Sequence, residues 1–443
     1  MFFVPKFIFI LAFTITLDYF LGILIEESAP ERRRLYLILS IISNISILFV
    51  FKYFNFFNAN VAAVAHYLDW NYSFGALSLI LPIGLSFHTF QSLSYVIEVY
   101  RKTQKAERHF GIFALYVMFY PQLVAGPIER PQNMLHQFHE QKYFELQRVL
   151  LGLQRMMYGF FKKIVIADNI VPFVTEVYGS PHGFPGISLM IATVLFAVQI
   201  YCDFSGYGDI AIGAAKVMGF DLMENFRQPY FSASVAEFWK RWHISLSTWF
   251  KDYVYIPLGG SRVSAFRRVF NFMVTFLLSG LWHGANWTYV IWGGLNGAAL
   301  SAGSFFKGSF SGVFHIFRVV RTFIFICVTW IFFRAESMSD AWYILTHLFS
   351  GWNKVFAQFH DASFRESTIF LGQNPARFFA LLAFIATFFF IEYLIEKKAR
   401  IIALMSEHTR RAYFLRWFVM ATIVLLIVLF VRTDKSPFIY FQF

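Results

Sequence analysis

The chain has 443 residues, 58% of them hydrophobic and 14% charged, with 60 phenylalanines and a formal net charge of +12. Soluble proteins carry roughly 25% charged residues, and no soluble core hides that many phenyl rings, so a soluble globular fold is excluded in favour of a polytopic α-helical membrane protein. The basic residues sit in short loops between apolar runs, which reads as cytoplasmic anchoring and contact with anionic headgroups or an anionic cosubstrate, not as nucleic-acid binding.

A membrane helix needs about 20 apolar residues. Runs of usable length lie near 7–25, 35–51, 76–97, 111–127, 188–202, 269–292, 316–333, 376–395 and 413–431. Mixed segments near 148–166, 204–220, 238–257 and 290–306 read as re-entrant or interfacial helices. The expectation is an all-α fold of nine to twelve membrane helices, irregular in its middle third, where backbone is buried in protein or lines a wet cavity. The first run carries only Lys6 ahead of it and no small-residue cleavage site behind it, so it reads as a retained helix rather than a signal peptide. With no internal repeat and no low-complexity linker, the expectation is a single domain over 1–443, its catalytic core at about 111–300 and a tail at 432–443.

Orientation follows from Lys and Arg in short loops. "ERRR" (31–34), "RKTQKAER" (101–108) and "EKKARIIALMSEHTRR" (396–411) place the loops 26–34, 98–110 and 396–411 in the cytoplasm and both termini outside. Cys202 and Cys327 fit neither a disulfide framework nor a zinc spacing, and no metal site is expected.

The polar positions follow in order. "PQLVAGPIERP" (121–131) is a Pro/Gly-broken turn that exits at Glu129 and Arg130, and "HQFHE" (136–140) reads as a solvated loop. "YCDFSGYGDIAIG" (201–213) sets Asp203, Ser205, Tyr207 and Asp209 in an apolar region, where carboxylates must pair or line water. In "FWKRWHISLSTWFKDYVYIPLGG" (238–260), a helix over 236–251 puts Trp239, Trp242, His243, Leu246 and Phe250 on one side, with Lys240, Arg241, Lys251 and Asp252 elsewhere on its surface. "LLSGLWHGANWTYVIWGGLNG" (277–297) places His283 in the middle of an apolar helix, between a small-residue pair, Gly280 and Gly284, and Asn286, which could fix its tautomer. An ionisable residue at that depth points to function. No serine-hydrolase, zinc-protease or P-loop motif is present.

The segments at 121–131, 201–213, 238–260 and 281–297, in this order, resemble the membrane-bound O-acyltransferase superfamily, and most of all its bacterial branch that serves alginate and peptidoglycan O-acetylation. The resemblance implies a ring of helices around a thin centre with a tunnel from cytosol to outer face, His283 as catalytic residue and His243 as the second functional one. It implies a bacterial inner membrane location, acetyl-CoA or another cytosolic acyl thioester as cosubstrate with no bound cofactor, and a polysaccharide acceptor reached through an extracytoplasmic esterase-like partner. Trp239, Trp242, Lys240 and Arg241 then read as funnel wall, Asn286, Asp203, Ser205 and Asp209 as tunnel or positioning residues. In related systems a C-terminal tyrosine motif passes the acyl group on, which makes Tyr440 of "KSPFIYFQF" (435–443) a candidate relay; an interfacial anchor is the other reading. A proton-coupled transporter or flippase, with the histidines relaying protons, is the alternative function.

Overall fold

The computed structural model describes residues 5–304, 313–397, 410–432 and 438, and among them every regular element is a helix. Five helices are long and apolar enough to cross a membrane: Pro5–Glu27, Pro30–Tyr67, Gly186–Met218, Phe314–Arg334 and Pro375–Glu396; Phe414–Phe430 is a shorter apolar one. The other apolar runs are built as shorter, broken helices. The run 76–97 is not one span. Residues 68–84 are irregular, and helix begins only at Leu85, behind Gly84 at φ 82°. A Cβ on Gly84 would stand 2.7 Å from the Leu123 carbonyl, so this close approach and the left-handed turn both require glycine.

The chain packs as two compact units. The first comprises Met1–Gly152, Ala211–Met223 and Gly284–Asn286. In it α1 (Ile8–Glu27), α2 (Pro30–Leu48) and, beyond α3 (Phe54–Tyr67), α4 (Leu85–Tyr100) enclose a carboxylate. Asp18 accepts hydrogen bonds from Ser40 Oγ (2.6 Å) and Asn44 Nδ2 (2.9 Å), which offsets part of the cost of a buried acid. Arg108 pairs with Glu26 and, at 2.6 Å, with Glu27, so the loops 26–34 and 98–110 lie at the same end of this unit. Helix α5 (Phe110–Met118) stops before a tight turn in which a Cβ on Gly126 would lie 2.3 Å from Gln122 Cα. Helix α6 (Pro131–Phe138) then leaves with Glu129 accepting from Met223 N (2.5 Å) and Gln137 exchanging two 2.9 Å bonds with Asp221. "PQLVAGPIERP" is thus a turn fastened to the backbone of 223 by the Glu129 carboxylate, and the helix that follows it to the backbone of 221 by the Gln137 amide.

The second unit comprises Leu153–Ile210, Glu224–His283 and Trp287–Phe443. Helix α7 (Leu146–Phe160) runs through a wide π-helical turn, Phe161–Ala167, into α8 (Asp168–Gly179), and the single helix α9 (Gly186–Met218) takes in both 188–202 and 204–220. Within this unit α7 and α9 touch backbone to backbone: a Cβ on Gly159 would meet the Gly206 carbonyl at 2.6 Å. Helices α10 (Val235–Arg241) and α11 (Ile244–Phe250) are short. Helices α12 (Ala265–His283) and α13 (Trp287–Gly303) form the tightest pair, with α14 (Val313–Arg334) against α13. The small-residue partner of Gly280 is Gly293 on α13 rather than Gly284. A Cβ on Gly280 would meet Tyr289 O at 2.2 Å, and one on Gly293 would meet Phe276 O at 2.2 Å. Helices α15 (Met338–His347), α16 (Trp352–Gln358), α17 (Ala362–Thr368), α18 (Pro375–Glu396) and α19 (Arg410–Phe430) complete it.

Candidate active site

The expected helix over 236–251 is in fact two helices, and the break falls on the histidine. Ser234 caps α10 by accepting from Glu237 N (3.1 Å), and α10 ends at Arg241. Trp242 is extended and His243 is left-handed, at φ 41° and ψ 55°, a conformation histidine adopts more readily than most residues. A strap at 225–227 holds the break open: Arg227 N donates to Arg241 O (2.9 Å) and Ile244 N to Asn225 O (3.0 Å). Even so, Trp239, Trp242, His243, Leu246 and Phe250 are all buried, while Lys240 and Lys251 are exposed. The aromatic side of the sequence pattern survives the break because both short helices turn the same face inward.

His283 is the last residue of α12, not the middle of a span; Gly284–Asn286 follows as a break before α13, with Asn286 its final residue. The imidazole is buried in a cage of rings met edge-on: Trp282 at 5.0 Å, Trp292 at 5.0 Å and Phe333 at 5.2 Å between centroids. Edge-to-face pairs of aromatic rings contribute about 0.5–1.5 kcal/mol each beyond area burial, so the ring is fixed as well as dry. The His243 ring lies 6.5 Å from it, fully buried against Phe204 at 4.6 Å. Burial pushes the His243 imidazole down to about 3, so it is neutral at physiological pH. Asn225 Oδ1 lies 3.2 Å from His243 Nδ1 and accepts from Ser245 N (3.1 Å) and Ser245 Oγ (2.9 Å). Nothing in the sequence pattern had marked Asn225; a lone asparagine in "MENFRQPYF" carries no spacing signal.

The acids of α9 are neutralised by cations of α7 and its wide turn. Asp203 pairs with Lys163 (2.7 Å), while Asp209 pairs with Lys162 (2.5 Å) and Arg155 (3.0 Å). Ser205 Oγ accepts from Lys162 Nζ at 2.9 Å. Arg155 also forks onto both oxygens of Glu224 (2.6 and 2.5 Å), the residue before Asn225, and so anchors the strap. Glu392 of α18 accepts from Tyr158 (3.1 Å) and Tyr201 (2.7 Å). Asp203 and Asp209 are therefore held in ion pairs and Ser205 in a hydrogen bond. Arg241 is likewise held, by Glu237 and Glu396 at 2.7 Å each. Lys162, Lys163 and Arg155 were missed in the sequence because each sits in an amphipathic stretch that also suits a solvated face.

A cavity of about 1380 Å³ opens beside the histidines. Its walls are mostly apolar, with Phe250, Phe272, Phe276 and Phe325, and four cations also line it: Lys240, Lys251, Arg318 and Arg321. Trp239 is a shared wall. It lines the cavity, donates from Nε1 to Asn296 Oδ1 (3.1 Å) and packs at 5.6 Å on Trp292, which cages His283. Ile244, next to His243, and Ser279, one turn before His283, line the same cavity. Tyr440 lies outside the described residues. Phe438, two residues earlier, is buried against Phe204 (6.0 Å) and Tyr207 (5.1 Å), and Phe204 is the ring on His243.

The family model of the membrane-bound O-acyltransferases matches residues 109–337, a stretch that contains both histidines, Asn225 and all four cavity cations. A probable alginate O-acetylase of Azotobacter vinelandii is 38% identical over 336 residues, covering 75% of this chain and 67% of the relative. One of Pseudomonas putida is 34% identical over 441 residues, covering 96% and 88%. A peptidoglycan O-acetyltransferase of Helicobacter pylori is 36% identical over 372 residues, covering 77% and 69%. A teichoic acid D-alanyltransferase of Bacillus subtilis is more distant, at 26% over 242 residues. These matches decide between the enzyme and the transporter: the chain is a multi-pass membrane protein that belongs to the membrane-bound O-acyltransferase family, and it is an O-acyltransferase.

Proposed function

We propose that this chain is an O-acetyltransferase of a bacterial inner membrane, taking acetyl from a cytosolic thioester such as acetyl-CoA and passing it towards an extracytoplasmic polysaccharide. The observation that carries the reading is the pair of buried imidazoles 6.5 Å apart, set behind the wall of a large apolar cavity lined by four cations. An acyl thioester on a nucleotide or pantetheine carrier is anionic at one end and apolar along its arm. Lys240, Lys251, Arg318 and Arg321 would attract the charged end, and the phenyl walls would take the arm. His283 takes the proton of the incoming hydroxyl as its oxygen bonds to the thioester carbonyl carbon; the C–S bond breaks, and the proton returns to the departing thiolate. His243 holds the reactants in register beside it. The cage keeps water away from the acyl group, and confinement of both partners supplies the proximity contribution.

The acceptor is reached outside, through an esterase-like partner, and the likeness to alginate and peptidoglycan O-acetyltransferases supports a glycan as the final recipient. Loops 26–34, 98–110 and 396–411 face the cytosol. Tyr440 serves as an acyl relay to the partner, supported by the seating of Phe438 on Phe204 next to His243. The test is transfer or hydrolysis of an acetyl thioester by membranes carrying the wild type and His283→Ala at equal expression. Loss of a general base costs roughly 10²–10⁴ in rate; wild-type turnover by the variant refutes the assignment.

A further inference from the structure

We infer that Asn225 is a positioning residue that fixes the tautomer of His243, placing its proton on Nδ1 and its lone pair on Nε2, so that His243 meets the reactants as a hydrogen-bond acceptor. The inference rests on the proposed role of His243 in acyl transfer, and it adds which nitrogen carries out that role.

The argument is one of donors and acceptors. A backbone N–H can only donate, and Ser245 N points at one atom of the Asn225 side-chain amide at 3.1 Å. That atom is therefore the oxygen, and the orientation of the amide is settled by the backbone rather than by choice. The same oxygen lies 3.2 Å from His243 Nδ1. An amide oxygen only accepts, so Nδ1 must carry the proton. A neutral imidazole has one N–H, and the lone pair is then on Nε2. The opposite amide orientation would set an NH2 group against the Ser245 N–H. The structure keeps the oxygen there even though Asn225 Nδ2 has no hydrogen-bond acceptor among the described residues.

The strap is braced against drift from both sides. Glu224, the preceding residue, is forked by Arg155, and Asn225 O takes the Ile244 N–H at the start of α11. Among the described residues His283 is the titratable group whose ring faces His243, at 6.5 Å. The acids are engaged elsewhere, Glu237 of α10 by Arg241, Glu224 by Arg155 and Asp203 by Lys163. A fixed Nδ1–H excludes polarisation of the acyl carbonyl by His243 Nε2, because a lone pair cannot donate. It assigns to Nε2 an incoming N–H or O–H instead.

The test is ¹⁵N NMR of histidine-labelled protein in bilayers, with His243→Gln to identify the resonance, alongside acetyl transfer. The wild type is expected to show protonated Nδ1 and bare Nε2. Asn225→Leu, checked for folding by size exclusion, should lose that tautomer and lower kcat on the order of 10²-fold with little change in KM for the thioester. Asn225→Asp keeps an oxygen for all three donors and loses only an amide nitrogen with no acceptor. It should keep the tautomer, restore most of kcat, and raise the midpoint of His243 titration by about one unit or more, since a carboxylate favours imidazolium. An Nε2–H tautomer in the wild type overturns the inference. So does an unchanged tautomer in folded Asn225→Leu, or failure of Asn225→Asp to restore turnover. A wild type that transfers no acyl group would overturn the proposed function and leave the tautomer readable.

Discussion

Alanine at Gly280 tests whether the contact between α12 and α13 sets the catalytic geometry. The added Cβ would stand 2.2 Å from the Tyr289 carbonyl oxygen and 3.0 Å from its carbon. Both are backbone atoms, so no rotamer relieves the overlap. Reaching even 3.0 Å from the oxygen requires the helices to part by about 0.8 Å, and His283 lies at the end of one while Trp292 of its cage lies on the other. Alanine gains about 1 kcal/mol over glycine in helix propensity, while overpacking of this kind costs about 1–3 kcal/mol. The expected net loss is on the order of 1 kcal/mol in stability, and a misplacement near 1 Å costs roughly 10²-fold in turnover. The control is Gly294→Ala, where the nearest atom is Leu277 Cδ2 at 3.7 Å, an ordinary contact, so only the propensity gain remains. Thermal unfolding in detergent and acetyl-thioester turnover are measured for both. Wild-type behaviour of Gly280→Ala, or equal damage from Gly294→Ala, would refute the reasoning.

Glutamine at each histidine should separate their roles: His243→Gln keeps a hydrogen-bonding acceptor and retains more turnover than His283→Gln, which loses the base; an equal or larger loss at 243 would reverse the assignment. His243 is held near 3, below its unfolded value of 6.5, so its share of stability is present above pH 6.5 and is lost as pH falls towards 3. By pH 5 about 2 kcal/mol of that share has been lost. Denaturation of wild type and His243→Gln should therefore show a steeper loss of stability between pH 7 and 5 in the wild type, and parallel curves would contradict it. Tyr440→Phe keeps the ring and removes the hydroxyl; full acetylation of the polymer by this variant would eliminate the relay and leave an anchor. A cysteine at Ser28 should resist an impermeant thiol reagent added outside intact cells, and ready labelling would overturn the orientation.

Composition was enough for the fold class, because 60 phenylalanines among so few charges have no soluble solution. Periodicity did less well where backbone contacts intervene. The apolar run through 269–292 hides a break, since Gly284–Asn286 is flanked by residues as apolar as any in a span. The pattern over 236–251 looked helical because side chains on both halves face inward, while the break comes from the strap at 225–227, remote in sequence. The two histidines were legible from their neighbours, "RWH" and "LWHG". Asn225 and Lys162 were not, because His243 and Asp209 lie 18 and 47 residues away and only the fold brings them together.

The ion pairs between α7 and α9 also constrain how the protein is made. Asp203 lies near the middle of α9, where an unpaired acid raises the cost of membrane insertion by about 2.5–3.5 kcal/mol. Its cation, Lys163, is synthesised first together with a local partner, Asp168 at 2.8 Å, but Lys162 and Arg155, the cations of Asp209, meet the bilayer with no acid to answer them until α9 emerges. The two elements become acceptable to lipid only as a pair. The biogenesis machinery must therefore shelter the first until the second arrives, or release both together. A ribosome stalled between residues 180 and 200 should leave the 155–168 segment outside the hydrocarbon core.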